Sequence, residues 1–269
     1  MFAFPGRLGQ GTWRMAEVPA RRREEVASLR EGVERGLALI DTAEMYADGE
    51  TEKLVGEAIA GLRDRVILVS KVYPHNASGR ALPLACERSL RRLGVETLDL
   101  YLLHWRGSVP LSDTVEAMER MRAAGKIRAW GVSNLDVADL EALGPALADC
   151  ATDQVLLNLE HRGAEFDLLP FCRERRMPVM AYSPVGQGGR LLKHPALAAI
   201  GTKHGATPAQ VALAWVLSRE GAVAIPKAGT RAHLLENIAA QDIALTREDH
   251  AALDAAFRPP TRKRPLDML

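Results

Sequence analysis

Three titratable side chains follow directly on apolar segments of this sequence. Asp41 ends Leu-Ala-Leu-Ile, Lys71 ends Val-Ile-Leu-Val-Ser, and His104 ends Leu-Tyr-Leu-Leu. Taken one at a time, these residues have structural explanations. Asp41 and Lys71 could form a buried ion pair, and His104 could be a hydrogen-bonded core histidine. However, removing several charged groups from water is costly, and apolar replacements are often as stable. Three such groups at the ends of apolar segments therefore indicate a functional cleft.

Tyr46 lies five residues after Asp41, in the loop that follows, and can reach the same place. A tyrosine hydroxyl with its usual pKa of about 10 is a poor proton donor at neutral pH. Lys71 beside it would lower that pKa, and Asp41 would keep Lys71 protonated and oriented. His104 can donate a hydrogen bond to a carbonyl oxygen. These four residues predict a site that donates a proton to a carbonyl group.

None of these four side chains can supply a hydride, so reduction of a carbonyl requires a nicotinamide cofactor. Amide and hydroxyl groups suited to a carboxamide occur at Ser133, Asn134 and Gln154, where the fifth predicted strand ends and the sixth begins. Tyr182, at the end of the seventh, offers a flat ring for stacking. Each of these is also an ordinary turn or packing residue, so only the whole set predicts a cofactor site.

No Gly-x-Gly-x-x-Gly turn follows an early strand, so a Rossmann-type diphosphate site is not predicted. Small residues follow the seventh predicted strand instead, at Ser183, Gly186 and Gly188. Lys227 and Thr230 follow the eighth, just before a predicted helix start. Because barrels commonly bind phosphate on this side of the rim, we expect the later loops to hold the diphosphate.

The elements that must position these residues alternate between two patterns. Short segments rich in Val, Ile and Leu predict eight strands, at 8–13, 37–41, 66–71, 98–104, 127–132, 154–158, 179–182 and 223–226. Helical periodicity predicts helices at 23–35, 51–62, 84–93, 114–124, 137–143, 168–175 and 207–218. No Pro-rich or Gly/Ser-rich linker divides the chain. The pattern favours an α/β fold, a closed (β/α)₈ TIM barrel that forms one domain over residues 1–269.

Local signals refine the helix boundaries. Asp113 and the Thr207-Pro208 pair are interpreted as helix starts, the first by an acidic cap and the second by a hydroxyl cap followed by proline. Gly36, Gly94 and Gly125 are interpreted as helix ends, because glycine readily adopts the left-handed conformation that terminates a helix.

The composition excludes several functional classes. Lys and Arg number 35 against 34 Asp and Glu, so no overall positive field attracts nucleic acid or an acidic membrane. The basic run 21–23 is followed by Glu24 and Glu25 and is interpreted as a solvated helix face. No signal-peptide pattern and no apolar window of about 18 residues is present. We therefore expect a cytoplasmic protein without nucleic-acid or membrane partners.

Over nearly its whole length the sequence resembles the aldo-keto reductase family, in particular bacterial members that reduce small aldehydes and methylglyoxal. The resemblance rests on DTAEMY at 41–46, GEAI at 56–59, SKV at 70–72, LYLLHW at 100–105, GKIRAWGVSN at 125–134, AYSP at 181–184, IPK at 225–227 and EN at 236–237. It implies an NADPH-dependent oxidoreductase in which Tyr46 is the general acid. Lys71 and Asp41 would tune Tyr46, His104 would position the carbonyl, and hydride would come from C4 of the nicotinamide.

The resemblance also implies a set of cofactor-binding residues. These are Ser133, Asn134, Gln154, Tyr182, Ser183, Pro184, Gly186, Gly188, Lys227, Thr230, His233, Glu236 and Asn237. His233 stands where many NADP-preferring members carry an arginine that holds the 2′-phosphate, and an imidazole lacks the guanidinium fork. Lys227 and Arg231 remain to bind that phosphate. We therefore expect NADPH or NADP as the cofactor, with NADH as the alternative.

The resemblance leaves the substrate open beyond its class. We expect Trp13, Met45 and Trp105 to line an open mouth, because the 185–194 connection and the tail after 258 are short. The tail is expected to lie over the barrel surface or mouth. The expected substrates are small aldehydes and ketones, including α-keto aldehydes such as methylglyoxal and aromatic aldehydes. No metal is expected at the site.

Two further expectations concern architecture. Few residues precede the first predicted strand, so the hairpin with which this family closes the barrel bottom is expected to be largely missing, with an effect on stability rather than chemistry. A monomer is expected, since no apolar surface element is evident. Two functions from other classes compete with the reductase: a cofactor-binding barrel that senses redox state with little turnover, and a metal-dependent barrel hydrolase, for which His104 has no partner at ligand spacing.

Overall fold

The computed structural model describes residues 2–269, which form eight strands and ten α-helices in this part of the chain. The strands are β1 Gln10–Gly11, β2 Leu39–Asp41, β3 Ile67–Val72, β4 Leu98–Leu103, β5 Ile127–Ser133, β6 Cys150–Leu156, β7 Val179–Tyr182 and β8 Ala222–Ala224. The helices are α1 Arg22–Glu34, α2 Glu50–Ile59, α3 Ala81–Leu93, α4 Leu111–Ala123, α5 Val137–Glu141, α6 Leu168–Glu174, α7 Pro195–His204, α8 Pro208–Leu217, α9 Arg231–Ala239 and α10 Arg247–Ala256.

The strands form one parallel sheet in chain order, and the sheet closes on itself. Leu8 bridges Ala224 in parallel, and the Gly9 N–H donates to the Ala224 carbonyl at 2.8 Å. The Gly11 N–H donates to the Pro226 carbonyl at 3.1 Å. A Cβ at Gly11 would lie only 2.4 Å from the Ile225 oxygen, so closure at this point requires glycine. The predicted (β/α)₈ barrel is confirmed.

All eight predicted strands are present, but the prediction for the sixth was wrong at its start. β6 begins at Cys150, four residues before the predicted position, so Gln154 lies near the carboxyl end of the strand and does not open it. The segment Cys150-Ala-Thr-Asp lacks the continuous apolar pattern of a buried strand. It is nevertheless buried, and Thr152 Oγ1 donates to the Pro178 carbonyl at 2.8 Å instead of to water.

The predicted helix boundaries were partly correct. Thr207 caps α8 and exchanges hydrogen bonds with Gln210, as the sequence signal indicated. The interpretation of Asp113 as a cap was wrong, because α4 begins at Leu111 after Pro110 and Asp113 lies in its first turn. Helices α7 and α10 were absent from the prediction, and of α9 only the start after Thr230 was predicted, where the structure has it. All three helices follow β7 in the chain and are at most ten residues long, so their periodicity is weak.

Two apolar layers determine which side chains face the barrel interior. Leu39, Val69 and Leu102 belong to the interior cluster, whereas their neighbours along the strands pack against the helices. Since side chains alternate between the two faces of a strand, residues two positions further on point into the same interior. That parity places Asp41, Lys71 and His104 at the carboxyl-end mouth of the barrel.

The bottom of the barrel is covered by two phenylalanines rather than by a hairpin. Residues 2–7 form no strand pair, as predicted. Phe2 and Phe4 meet edge to face, with ring centroids 5.3 Å apart, and both pack against the interior cluster. Within residues 2–269, the structure also contains no helix of the length and apolar character required to cross a membrane.

We predict that Phe4→Ala lowers the free energy of unfolding by about 1–2 kcal/mol, because a half-buried ring and one aromatic pair are lost. Chemical denaturation monitored by circular dichroism measures this change. Phe166→Ala is the matched control, since that ring is 43% exposed and should cost little. Equal destabilisation by the two variants would contradict a sealing role for the phenylalanine pair.

Candidate active site

Each of the four predicted catalytic residues is positioned by a strand end or by the turn after it. Asp41 is the last residue of β2, Lys71 lies on β3 one residue before its end, and His104 directly follows β4. Tyr46 begins a short 3₁₀ turn, Tyr46–Gly49, that leads into α2. Ala47 and Asp48 in this turn adopt positive φ angles of 46° and 51°, a conformation that is unfavourable for both residues. This strained turn directs the Tyr46 ring back over the barrel mouth.

The Lys71 ammonium lies at the centre of the group. Its Nζ donates to Asp41 Oδ2 at 2.8 Å, to the Thr42 carbonyl oxygen at 2.9 Å and to the Tyr46 hydroxyl oxygen at 3.1 Å. Lys71 is completely buried, so no hydrogen bond to water competes. An ammonium has three N–H donors, and all three have an acceptor here. The sequence prediction that these side chains meet is therefore matched by the geometry.

The environment keeps the lysine charged. Burial disfavours the ammonium, but Asp41 and Tyr46 outweigh this effect and raise the pKa of Lys71 above its ordinary value. Burial also raises the pKa of the Tyr46 hydroxyl; Lys71 opposes that rise and Asp41 adds to it. Lys71 therefore lowers the Tyr46 pKa, as expected from its charge, while burial is the largest effect and leaves that pKa above its ordinary value. At neutral pH, Tyr46 retains its proton and can donate it.

His104 is neutral in this site. Burial, together with the charge of Lys71, holds the pKa of His104 well below its ordinary value. Its ring meets the Tyr46 ring edge to face, with centroids 5.9 Å apart, and lies 4.9 Å from the Trp105 ring. A neutral imidazole still carries one N–H donor. The side chain can therefore orient an oxygen acceptor beside the Tyr46 hydroxyl without adding a charge.

The residues predicted to bind a carboxamide are hydrogen-bonded to one another. Ser133 Oγ donates to the Gln154 carbonyl at 2.7 Å, and Asn134 Nδ2 donates to Ser133 Oγ at 3.0 Å and to the His104 carbonyl at 3.1 Å. The Tyr182 hydroxyl donates to Asn134 Oδ1 at 2.9 Å. The amide cluster, Ser133, Asn134, Gln154 and Tyr182, is therefore pre-organised before any ligand binds.

A cavity of about 930 Å³ opens over these groups at the barrel mouth. Its lining includes most of the predicted site: Trp13, Asp41, Met45, Tyr46, His104, Trp105, Ser133, Asn134, Gln154, Tyr182, Ser183, Pro184, Gly188, Lys227, His233, Glu236 and Asn237. Lys71 lies beneath it, against Asp41 and Tyr46. Two predicted cofactor residues do not line it. Gly186 turns the loop at a positive φ of 59°, and Thr230 caps α9 by accepting from the His233 N–H.

The sequence interpretation missed the basic side of this cavity. Arg14 and Arg21, in the loop between β1 and α1, line the cavity with Lys227. Arg21 had been assigned to a solvated helix face, and nothing in the run 21–23 distinguishes it from its neighbours. The Arg14 guanidinium lies 4.6 Å from the centroid of the Trp13 ring. Cations that line a cavity of this size are suited to hold phosphate groups.

The carboxyl-terminal segment completes the mouth. Lys263 Nζ lies 3.4 Å from Asp136 Oδ2 and 3.2 Å from Asp167 Oδ2, which fixes the segment beside the starts of α5 and α6. Met268 and Leu269 then line the cavity, although both keep half or more of their surface exposed. The expectation that the tail lies over the barrel mouth is confirmed. Its last apolar residues form one wall of the site.

Comparison with known proteins identifies the family of this site. The sequence matches the profile of the Aldo/keto reductase family over residues 7–258. It is 55% identical over 268 residues to the methylglyoxal reductase YeaE of Escherichia coli K12, covering 97% of this chain and 94% of that protein. It is 34% identical to the glyoxal reductase of Bacillus subtilis, covering 86% of this chain and 83% of that protein.

A solved structure is similar over almost the whole chain. The aldo/keto reductase of Klebsiella pneumoniae, crystallised with NADP and acetate, superposes with a TM-score of 0.95 at 54% identity. The match covers 98% of this chain and 95% of that one. A thermostable aldo-keto reductase, Tm1743, crystallised with the inhibitor epalrestat, superposes with a TM-score of 0.87 at 39% identity, covering 93% and 94% of the two chains.

We predict that Lys71→Met lowers the free energy of unfolding by about 3–5 kcal/mol, because it leaves the Asp41 carboxylate buried without a counter-charge. The loss should be larger at pH 7 than at pH 4, since acid neutralises the isolated carboxyl group. Denaturant titrations at both pH values measure it. Lys126→Met is the control, because Lys126 is 39% exposed and pairs only with Glu87 at the surface. Comparable losses in both variants would show that the ion pair is not the critical contact.

Proposed function

This chain belongs to the aldo/keto reductase family, and we propose that it reduces small aldehydes and ketones to alcohols with NADPH. The substrates we assign are α-keto aldehydes such as methylglyoxal, together with aromatic aldehydes. The observation that carries the proposal is the threefold contact of the Lys71 ammonium with Asp41, Thr42 and the Tyr46 hydroxyl at the base of the cavity. The similarity to methylglyoxal and glyoxal reductases supports the substrate class.

The residues of the cavity fit a nicotinamide dinucleotide. The amide cluster offers donors and acceptors for a carboxamide, and the Tyr182 ring offers a face for stacking. Lys227 and the two cavity arginines, Arg14 and Arg21, offer cations for the phosphates, and Glu236 and Asn237 line the cavity further along. When bound there, the cofactor supplies the hydride. Crystallisation of the similar Klebsiella pneumoniae protein with NADP and NADPH supports this assignment.

The protein then supplies the proton. The protonated Tyr46 hydroxyl donates to the carbonyl oxygen as negative charge develops on it. Lys71, 3.1 Å from the phenolic oxygen, stabilises the tyrosinate that remains, and Asp41 keeps Lys71 charged and in place. The neutral His104 N–H holds the carbonyl oxygen next to the hydroxyl. Because the raised pKa of Tyr46 keeps the donor protonated, the site is ready for reduction over a wide pH range.

The walls of the cavity fit small substrates with an apolar body. Trp13, Met45 and Trp105 line it near the catalytic tyrosine, and Met268 and Leu269 line it from the tail. Such a wall binds by apolar contact around a single polar point, the carbonyl. An aldehyde carbon flanked by a second carbonyl or by an aromatic ring matches this arrangement.

We further propose that the protein acts as a cytoplasmic, single-domain monomer. The family match over 7–258 and the docking of the tail against Asp136 and Asp167 support one domain. Three of the large apolar side chains that are exposed, Val18, Met268 and Leu269, lie at the cavity and not on a separate docking face. The three cysteines are free and buried, as is usual in a reducing compartment.

The central test is oxidation of NADPH and of NADH, followed by absorbance, with methylglyoxal and with an aromatic aldehyde. We expect turnover with NADPH and much slower turnover with NADH. Tyr46→Phe should lower kcat by about 10³-fold or more, because only the proton donor is lost, and leave the NADPH dissociation constant almost unchanged. Binding of NADPH without turnover by the unaltered protein would refute the reductase proposal and favour a redox-sensing role.

We predict that Arg21→Ala weakens NADPH binding roughly five- to tenfold, because one guanidinium contact to a phosphate is lost. The salt dependence of the dissociation constant should also become shallower. Fluorescence titration at two ionic strengths measures both. Arg23→Ala is the matched control, as this exposed arginine lies two positions away and does not line the cavity. An unchanged affinity in Arg21→Ala would place the phosphates on the Lys227 side alone.

A further inference from the structure

We propose that Gln154 is a positioning residue for the proton donor, in addition to its predicted contact with the cofactor. Its side chain holds the Asp41 carboxylate, and through Asp41 it holds Lys71 against Tyr46. The amide cluster and the proton-donating group are then parts of one hydrogen-bonded assembly, joined at Gln154. The inference rests on the proposed carbonyl reduction, and it adds a role for a residue that the family resemblance implies only as a cofactor contact.

The contact that carries this inference joins two strands on opposite sides of the barrel interior. Gln154 Nε2 on β6 donates to Asp41 Oδ1 on β2 at 2.8 Å, across 113 residues of sequence. Lys71 Nζ donates to the other carboxylate oxygen, Oδ2, also at 2.8 Å. All three side chains are at most 2% exposed, so little of their surface is open to competing hydrogen bonds from water. The carboxylate cannot rotate or shift without losing one of its two partners.

The orientation of the Gln154 amide follows from charge. If the amide oxygen faced Asp41, two hydrogen-bond acceptors would face each other and the carboxylate would be repelled. The NH₂ group must therefore face Asp41. The amide oxygen Oε1 then remains as an acceptor for the NH₂ of a bound carboxamide. One side chain can thus contact the cofactor and Asp41 at the same time.

The backbone of Gln154 is also fixed. Its main-chain carbonyl oxygen accepts from Ser133 Oγ at 2.7 Å and from the Asn134 N–H at 2.9 Å. Along the side chain, Nε2 lies 3.7 Å from the Met180 sulfur. A residue held at the backbone and packed along its side chain has little freedom to move. This rigidity lets Gln154 define the position of Asp41 rather than follow it.

A glutamate at position 154 provides the sharpest test. When protonated, the introduced carboxyl group can donate its O–H to Asp41 Oδ1 as the amide does; when ionised, it repels Asp41. The titratable and charged groups that face this position are Asp41, Lys71 behind it, Tyr46, His104 and Tyr182. Burial raises the pKa of Tyr46 and Tyr182, and His104 is neutral because its pKa is well below the ordinary value. A pH dependence that appears in this variant and not in the wild type therefore reports the introduced carboxyl.

We expect kcat of Gln154→Glu, measured with saturating NADPH and methylglyoxal, to fall at least tenfold from pH 5.5 to pH 8. Wild type should change little over this range. Gln154→Met should lower kcat by the same factor at both pH values and raise the solvent deuterium isotope effect, because proton donation becomes slower. Gln10→Glu is the matched control: Gln10 is also buried, but it hydrogen-bonds the Leu29 and Leu37 carbonyls, away from the cavity. A flat profile for Gln154→Glu would overturn the inference.

A second measurement does not depend on turnover. The charge of Asp41 raises the pKa of the introduced carboxyl in the folded state. The free energy of unfolding of Gln154→Glu should therefore be highest at low pH and fall as the pH rises through that pKa. In the Asp41→Asn background this fall should be much smaller, and the double-mutant cycle isolates the free energy of the contact. Equal losses in both backgrounds would overturn the inference. An inactive wild-type protein that shows this coupling would refute the reductase function but confirm the contact.

Discussion

The buried ammonium of Lys71 is the constraint on which the rest of the site depends. A charge removed from water is tolerated only when each of its donors has a partner, and here three acceptors lie within 3.1 Å of Nζ. Those acceptors come from the end of β2, the residue after it and the turn that carries Tyr46. The register that pairs Asp41 with Val69, two residues before Lys71, brings the carboxylate within reach. Placement of the lysine against the proton donor is therefore a consequence of the register between β2 and β3.

The state of Tyr46 clarifies what the lysine does. The expectation from charge alone is that a cation lowers the pKa of the phenol, but burial outweighs the cation and the net pKa is raised. The resting hydroxyl is consequently protonated, as a donor must be. Lys71 then acts mainly when the proton leaves, because an ammonium 3.1 Å from the oxygen stabilises the tyrosinate at that moment. Stabilisation of the tyrosinate thus depends more on the position of the Lys71 ammonium than on the resting pKa of Tyr46. The rigid contacts of Asp41 hold the ammonium in that position.

Side chains of two chemical kinds line the cavity. The aromatic and thioether side chains suit the apolar body of a small carbonyl compound, and the arginines from the β1–α1 loop with Lys227 after β8 suit phosphate groups. The two kinds meet where the Arg14 guanidinium lies over the Trp13 ring. β1 and β8 are neighbours only because the barrel closes between them. A single closure thus brings together cations that are more than 200 residues apart in the chain.

Much of this protein was determined by its sequence alone. The positions of Asp41, Lys71 and His104 at the ends of apolar segments predicted a functional cleft, and the order of apolar segments predicted eight strands and a closed barrel. Such signals are present in the sequence because they depend on local apolar segments and on the cost of burying charge. Only the tertiary structure decided that β6 starts at Cys150 and that Arg21 faces the cavity. It also decided that Gln154 holds Asp41, because that bond spans 113 residues and no local pattern records which distant side chains a closed barrel brings together.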